Sequence, residues 1–365
     1  MPDRRRAFDP RLGALVLALG LAFAACTKQG EPFMPARPGQ VDSTKVEGSE
    51  WGHWTADNDP YYAIKSIVVP ANRTLTIDPG VLVIFTRAGL TFTVKGTLIA
   101  PGKPDSLINF RPNANRGVPP VAGDFGGVVF EGGSIGRLTG FRVQYGTTGI
   151  KATGSDLEMD NCFISNHLQY GITAARTRLV LRNSTLSNCG LNGLDLNECD
   201  SPTYPVEIEH CNIGNNRYAG IWAVNSSLVA RRTDIRNNGD EGDPDFSAGI
   251  HFEGLPGIDP PIFRQCNINQ NLPCDLRNEM PTGIVVSADS NWWGPPTTDE
   301  MEFLSNPVVP PDPNKNNCSF NVRQICDGLD DPLGGASGVR FCLWLDAPAP
   351  NFASSSMAPG AGSGR

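Results

Sequence analysis

The chain has 365 residues, a formal net charge of −8, and many glycines and prolines, 40 and 31 respectively. Apart from one short basic run near the N-terminus it has no lysine or arginine cluster. This acidic balance excludes the basic surface that DNA- or RNA-binding proteins need, so no nucleic-acid partner is expected.

The first 25 residues have the pattern of a secretion signal. Arg4, Arg5 and Arg6 precede an apolar stretch over residues 12–25 that ends in small residues. Residues 23–26, Phe-Ala-Ala-Cys, resemble the lipobox of bacterial lipoproteins, although phenylalanine stands where leucine is usual. The resemblance implies that Cys26 becomes the lipid-bearing N-terminus. A plain signal peptide cleaved nearby is the alternative.

The residues after Cys26 bear on location. Thr27 in place of aspartate resembles lipoproteins sent to the outer membrane, and it leaves open the periplasmic face or the cell surface. Acyl chains hold a protein on a bilayer without a transmembrane helix, so the membrane is the expected partner. The polar, proline-rich residues 26–60 are predicted to form a tether.

A pair made of glycine and an aliphatic residue recurs along the middle of the chain. The first three steps after Gly127 are 22 residues each. The six pairs are Gly127-Val128, Gly149-Ile150, Gly171-Ile172, Gly193-Leu194, Gly220-Ile221 and Gly249-Ile250. Repetition at a fixed short period predicts a solenoid, because each repeat buries its apolar side chains only by stacking on its neighbours.

Each repeat also contains a short alternating segment and a second signature with an aliphatic residue followed by asparagine, as in residues 161–166 and 183–188. Alternation with a period of two predicts strands with one inward face. About 22 residues are too few for a strand and an ordinary helix, which excludes a parallel sheet with helical crossovers. The predicted class is all-β, with three strands and three turns in each coil.

Residues 66–80 and 94–100, together with Asn291-Trp292-Trp293-Gly294, resemble the right-handed parallel β-helix repeat proteins, which share the pectate-lyase-like architecture. The resemblance covers about residues 61–294 and implies a fold without implying an activity. Residues 295–346, which contain cysteines, are expected to form an irregular cap over the last coil, and residues 347–365 a disordered tail.

Aligning the coils predicts three stacked rows. One is an asparagine ladder at a turn. It comprises Asn166, Asn188, Asn215 or Asn216, Asn237 or Asn238, and Asn271. The second is a row of small inward residues: Cys162, Ser184, Cys211, Thr233 and Cys266. The third is an outward row of alternating charge: Asp160, Arg182, Glu209 and Arg231.

The cysteines divide by coil geometry. Cys162, Cys211 and Cys266 lie two coils apart, near 9.6 Å at about 4.8 Å per coil, so they are predicted to be free thiols. Pairing stays open for the other six, which are Cys189, Cys199, Cys274, Cys318, Cys326 and Cys342. A metal site at the last three has no CxxC pair or nearby histidine to support it.

Departures from the 22-residue period indicate where a ligand could bind. The coils that begin at Gly193, Gly220 and Gly249 are longer than 22 residues, with the last one counted to Gly283. The extra residues flank the strands that begin at the glycine pairs, so loops are expected to wall a groove over them. Outward positions of those strands give the candidate ligand-binding residues: Asp195, Asn197, Trp222, His251 and Glu253, with Val285 next in the series.

Carboxylates beside a tryptophan suit sugar binding or sugar cleavage, and an ordinary polar face is the alternative. The acidic loop with Asp240, Glu241, Asp243 and Asp245 offers oxygen ligands for calcium, with a solvated turn as the alternative. No other cofactor is expected. Pectate lyases use a calcium-bound acidic cluster and a basic residue, but their motifs, like those of polygalacturonases, have no residue-by-residue match here.

Three functions remain open from the sequence. The leading hypothesis is a lipid-anchored, non-catalytic β-helix of the cell envelope that acts as a scaffold or binds polysaccharide. A polysaccharide lyase or glycoside hydrolase with two carboxyl groups about 5 to 9.5 Å apart, one with a raised pKa, is the second. A surface adhesin without a polar groove is the third.

Overall fold

The structure is a computed structural model that describes residues 44–113, 119–200, 202–281, 283–305, 321–327 and 338–350. The predicted secretion signal, the lipidation of Cys26, most of the tether, Cys318 and the tail beyond residue 350 lie outside the described residues. Among the described residues no helix is long and apolar enough to cross a membrane.

Short strands make up nearly all of the regular structure. In chain order the strands are β1 (Thr44–Ser49), β2 (Gly52–Trp54), β3 (Tyr61–Val69), β4 (Thr74–Ile77), β5 (Leu82–Phe85), β6 (Thr91–Val94), β7 (Thr97–Pro101), β8 (Ile108–Pro112), β9 (Gly127–Phe130), β10 (Ile135–Thr139), β11 (Phe141–Gln144), β12 (Ile150–Thr153), β13 (Asp156–Asp160), β14 (Phe163–Ser165), β15 (Ile172–Ala175), β16 (Arg178–Arg182), β17 (Thr185–Ser187), β18 (Leu194–Asn197), β19 (Val206–Glu209), β20 (Asn212–Gly214), β21 (Ile221–Val224), β22 (Val229–Arg231), β23 (Asp234–Arg236), β24 (Ile250–Glu253), β25 (Ile262–Arg264), β26 (Asn267–Asn269), β27 (Leu276–Glu279), β28 (Val286–Ser287), β29 (Ile325–Cys326) and β30 (Val339–Arg340). One α-helix, α1 (Pro295–Ser305), follows β28, and Ala56–Asn58 and Pro244–Phe246 are short 3-10 turns.

The strands stack in parallel into three faces of a solenoid. Face 1 contains β6, β9, β12, β15, β18, β21, β24 and β27, and its six strands from β9 to β24 begin within the glycine-aliphatic pairs. Face 2 is an 11-stranded sheet that runs from β2 to β30. Face 3 contains β5, β8, β11, β14, β17, β20, β23 and β26. Three strands per coil, as predicted, replace any helical crossover.

The solenoid begins earlier than the sequence indicated. Strand β1 pairs with β3 and β2 pairs with β4, both in parallel, so the stack starts at Thr44. Residues 44–60 therefore belong to the first coil and not to the tether predicted for residues 26–60. These strands were missed because they precede the first recognisable repeat.

The core is built from inward rows of side chains. On face 1, from β12 onwards, the first inward position of each strand is aliphatic and at most 1% exposed. These residues are Ile150, Ile172, Leu194, Ile221, Ile250, Leu276 and Ile325. Burying such a side chain contributes about 1.5 to 3 kcal/mol, but only when the next coil covers it.

The recurring glycine has a steric reason. A Cβ on Gly171 would lie 2.5 Å from the carbonyl oxygen of Gly193 in the next coil, and the same close approach recurs at Gly149, Gly193, Gly220 and Gly249. That carbonyl accepts the amide hydrogen of Ile172 at 3.0 Å. The glycine thus lets the backbone of one coil approach the next closely enough to pair.

The asparagine ladder is confirmed in part. Asn216, Asn238 and Asn271 are buried and bonded in series, with Asn216 Nδ2 donating to Asn238 Oδ1 at 3.0 Å and Asn238 Nδ2 to Asn271 Oδ1 at 3.0 Å. Asn166 and Asn188 do not belong to it, since they lie one chain position earlier at the same corner, in the left-handed region at φ 61° and 55°. Two rows of residues at consecutive chain positions share this corner, and only the side chains of the second row point inward.

Two further predicted rows are confirmed. The five small residues Cys162, Ser184, Cys211, Thr233 and Cys266 are all fully buried. On face 2, Asp160, Arg182, Glu209 and Arg231 stack in register. Arg182 lies 3.4 Å from Glu207 and 4.0 Å from Glu209, exposed ion pairs that contribute at most about 1 kcal/mol each.

The predicted free thiols are confirmed, and two of the undecided cysteines join them. Cys162, Cys189, Cys199, Cys211 and Cys266 are all free and buried. Burial raises the pKa of the Cys162, Cys189, Cys211 and Cys266 thiols to about 12. A thiol that keeps its proton and is shielded from solvent is a packing residue and not a nucleophile.

The cap is more regular than predicted. It contains α1, and its strands β29 and β30 extend faces 1 and 2. A disulfide joins Cys274 to Cys326 and so ties the cap to the last coil, and Cys342 is also disulfide-bonded. Ala349 is buried and bonded through its amide to Asn267 Oδ1 at 2.7 Å, so the tail predicted from residue 347 starts too early.

Candidate functional site

The candidate residues lie on the outside of face 1 in two neighbouring rows. The first row runs through Lys151, Thr173, Asp195, Trp222, His251 and Arg277. The second runs through Asn197, Val224, Glu253 and Glu279. Parallel in-register pairing therefore places all five sequence-predicted residues on three adjacent strands, β18, β21 and β24.

The last member of the series differs from the prediction. Strand β27 pairs with β24 and is preceded by Asp275, which occupies the position that glycine holds in earlier coils. Gly283 and Val285 lie after β27 and outside face 1. Because the glycine signature fails at Asp275, the sequence missed Arg277 and Glu279, although Leu276-Arg-Asn-Glu279 repeats the pattern of Ile250-His-Phe-Glu253.

His251 is the centre of the polar contacts on this face. The side chain is only 1% exposed, and its Nε2 lies 3.1 Å from Glu279 Oε2 and 3.5 Å from Glu253 Oε1. Arg277 Nη1 approaches Glu279 Oε1 at 3.4 Å. Two partly exposed carboxylates thus converge on one buried imidazole.

Aromatic rings cover the neighbouring coil. The ring centroid of Trp222 lies 4.3 Å from that of His251 and 6.2 Å from that of Phe246, which is 53% exposed. Tyr218 approaches Phe246 at 5.9 Å. These contacts leave Trp222 half-buried, so its ring is less exposed than the stacking platform predicted from the sequence. Phe246 presents the exposed ring surface instead.

The loop that carries Phe246 is held in place. Residues 239–247 precede β24, as predicted for a wall beside face 1. Arg217 lies 3.3 Å from Asp240 Oδ2 and 3.2 Å from Asp243 Oδ2, and the Tyr218 hydroxyl donates to Asp243 at 3.2 Å. The second predicted wall, residues 255–261, is anchored by the amide of Leu255, which donates to Asn225 Oδ1 at 2.9 Å.

Asp195 lies in the first row, two strands before His251. Burial raises the pKa of its carboxyl, while a hydrogen bond from Asn192 Nδ2 at 2.9 Å opposes that effect. Burial and the nearby charge of Asp195 both raise the pKa of Tyr170. We call Asp195, Trp222, Phe246, His251, Glu253 and Glu279 the aromatic–acidic strip.

A family model described as the right handed beta helix region matches residues 126–292, a span that contains every residue of the strip. The chain folds as a right-handed parallel β-helix. No curated protein and no solved structure matches it. The match establishes the architecture of the β-helix and is silent on its ligand.

Two carboxylates of the acidic loop, for which calcium was predicted, make contacts within the protein. Asp240 and Asp243 face the Arg217 guanidinium, and Asp240 Oδ1 accepts from the amide of Gly242 at 2.9 Å. Within the described residues, ligand atoms of three or more histidines, cysteines or acids converge only at His251, Glu253 and Glu279. This geometry favours a salt-bridged turn for residues 240–245.

The carboxyl groups of the strip differ in the direction of their pKa shifts. A hydrogen bond from His251, aided by the charge of Arg277, holds the pKa of Glu279 below its ordinary value, whereas a general acid needs a raised pKa. Asp195 has a raised pKa but stands two strands away from Glu253.

A small cavity of the protein lies in the cap, away from the strip, and is lined by Pro296, Thr297, Glu300, Arg323 and Gln324.

Besides Arg277, sequence reasoning missed four contributors to this region of the β-helix. Phe246 was counted as part of an insertion, and Tyr170 and Asn192 lie in turns without a distinctive motif. Glu279 was the one with a usable signal, a carboxylate three residues after an aliphatic strand start, as in Glu253. The others become visible only when the loops fold over the strands.

Proposed function

We propose that this protein is a lipid-anchored β-helix of the bacterial cell envelope that binds polysaccharide along the aromatic–acidic strip without cleaving it. The observation that supports the proposal is the exposed ring of Phe246 standing over face 1 beside the partly exposed carboxylates Glu253 and Glu279. Aromatic rings stack on the apolar faces of sugars, and carboxylates accept hydrogen bonds from their hydroxyl groups.

The contrast with face 2 supports the choice of face 1. On face 2 the outward charges neutralise each other, with Arg137 and Arg178 both bonded to Asp156 at 3.0 and 2.8 Å. Because those hydrogen bonds are already made within the protein, they are not offered to a ligand. The strip on face 1 combines acids with an exposed ring and has an ordered loop on one side.

Glycan binding is expected to depend on the exposed ring. Phe246→Ala should weaken binding about tenfold or more, because loss of one stacked ring removes on the order of 1.5 kcal/mol. The measurement is a glycan array followed by titration of the best ligand, using the chain without residues 1–26. Phe303→Ala is the matched control, because it removes a ring that is 79% exposed but lies on α1 of the cap and not in the strip.

Three results would contradict this proposal in different ways. Absence of binding to every polysaccharide on the array would contradict the carbohydrate-binding role and favour the adhesin hypothesis. Equal binding by Phe246→Ala would move the site elsewhere. Release of reducing ends or unsaturated sugars from a bound polysaccharide, with or without calcium, would make the protein an enzyme of the lyase or hydrolase class.

Membrane attachment is expected to depend on Cys26. The full chain should appear in the membrane fraction and incorporate a labelled fatty acid, whereas Cys26→Ser should do neither, because one residue carries the acyl chains. Fractionation and lipid labelling of both forms make the measurement. A Cys26→Ser protein that stays in the membrane fraction would overturn the lipid anchor while leaving the glycan test unaffected.

A further inference from the structure

One end of the aromatic–acidic strip carries side chains with the chemistry of metal ligands. His251 and Glu253 lie on β24, and Glu279 lies on the next strand, β27. One ligand atom from each lies within 4.8 Å of the other two. The set is a nitrogen and two carboxylate oxygens from three side chains on rigid strands.

The separations fit coordination of one small cation. Ligands about 2.0 to 2.2 Å from a tetrahedral zinc ion lie about 3.3 to 3.6 Å from one another. His251 Nε2 lies 3.1 Å from Glu279 Oε2 and 3.5 Å from Glu253 Oε1. An ion placed between the three atoms would need only small rotations of the two glutamates.

The imidazole is already fixed in its ligating orientation. His251 is 1% exposed, its ring lies against Trp222, and its backbone pairs in register with Arg277. A buried side chain loses little conformational freedom on binding an ion, which favours affinity. The glutamates are 38% and 50% exposed, so the open side of the set faces solvent.

The charge balance also favours a cation. Two of the three proposed ligands are carboxylates, and Arg277, 3.4 Å from Glu279 Oε1, offsets the negative charge of one of them. One net negative charge remains among these three charged side chains, and a divalent ion would reverse its sign. A nitrogen ligand disfavours calcium and magnesium, which prefer all-oxygen sites, and suits first-row transition metals.

We propose that His251, Glu253 and Glu279 form a three-ligand binding site for a divalent transition metal of the zinc class. The fourth coordination position faces solvent. The site is distinct from the acidic loop at residues 240–245. It shares His251, Glu253 and Glu279 with the aromatic–acidic strip, so zinc binding is measured without glycan.

The test is equilibrium dialysis of the chain without residues 1–26 against Zn²⁺, followed by metal analysis and competition with a chelator. One zinc per chain is expected, with a dissociation constant in the micromolar range or below. Glu253→Gln and Glu279→Gln should each weaken binding at least about tenfold. Both residues are partly exposed, so these variants are expected to fold, which circular dichroism checks.

Glu209→Gln is the matched control. Glu209 also neighbours a histidine, His210, at 3.8 Å, but it lies on face 2 among arginines. It should leave zinc binding unchanged. Absence of stoichiometric zinc, or zinc that the Glu253 and Glu279 variants retain in full, would overturn the site whatever the glycan array shows.

Discussion

Replacing Asn238 with alanine is expected to lower the free energy of unfolding by about 3 to 5 kcal/mol. Asn238 is the central member of the ladder and is 1% exposed. Its Nδ2 donates to Ile213 O at 3.1 Å and to Asn271 Oδ1 at 3.0 Å, and its Oδ1 accepts from the amide and the side chain of Asn216.

The loss is large because the partners stay buried. Alanine leaves the amide of Asn216 and the carbonyl of Ile213 without their side-chain partner, and each buried unsatisfied group costs about 1 to 3 kcal/mol. A cavity between coils adds to this cost. Urea denaturation followed by far-ultraviolet circular dichroism makes the measurement.

Asn188→Ala is the control for this prediction. Asn188 lies at the same corner two coils earlier, but its side chain is exposed and donates only to Ser187 Oγ at 3.4 Å. Its φ of 55° makes alanine unfavourable by about 1 to 2 kcal/mol. A loss at Asn238 no greater than the loss at Asn188 would contradict the predicted size of the ladder contribution.

Asp275→Asn is expected to stabilise the protein at about pH 8 and to have little effect near pH 4. Asp275 is 1% exposed, and burial raises its pKa from 3.8 to about 7. Between these values the folded protein keeps a proton that the unfolded chain has released. Stability is therefore full below the unfolded value and falls as the pH rises towards 7.

The size of this loss follows from the two pKa values. A folded value of about 7 against 3.8 corresponds to a loss on the order of 4 kcal/mol by the time Asp275 is ionised. Asparagine keeps a carbonyl oxygen that can accept from Asn271, whose Nδ2 donates to Asp275 Oδ1 at 2.9 Å, and it does not titrate. The variant should lose most of this pH dependence.

Unfolding free energies from about pH 4 to about pH 8 for the parent protein, Asp275→Asn and Asp259→Asn test this. Asp259 is exposed in the loop before β25, so its substitution should leave the profile unchanged. If Asp275→Asn follows the same slope as the parent, then Asp275 does not carry the pH dependence. If it is less stable at every pH, the carboxyl is needed as a structural acceptor.

Asp275 also explains why the prediction of the site was incomplete. It holds the glycine position of the last coil, and its side chain turns back to end the ladder at Asn271 and to reach Thr297 of α1. Gly249 would meet the carbonyl of Asp275 at 2.4 Å if it carried a Cβ, so the steric rule still holds one coil earlier. The signature stopped where the cap replaced the next full coil.

The repeat itself was readable because it is local. Each coil needs a glycine where the next backbone approaches, a small residue at the crowded corner and alternating residues along each strand. These requirements recur at a short period, so the class, the strand count per coil and the rows at Cys162 and Asp160 followed from spacing alone. The same periodicity located Asp195, Trp222, His251 and Glu253 on adjacent strands.

The sequence by itself thus determined the solenoid, its inward and outward positions, and the five candidate residues of face 1. Only the tertiary structure decided which asparagines point inward, that the Cys274 bridge reaches Cys326, that Phe246 covers Trp222, and that Glu279 joins His251. The physical reason is that inserted loops and the cap follow no period. Their positions depend on contacts between residues far apart in the chain, such as Arg217 with Asp243, which spacing does not encode.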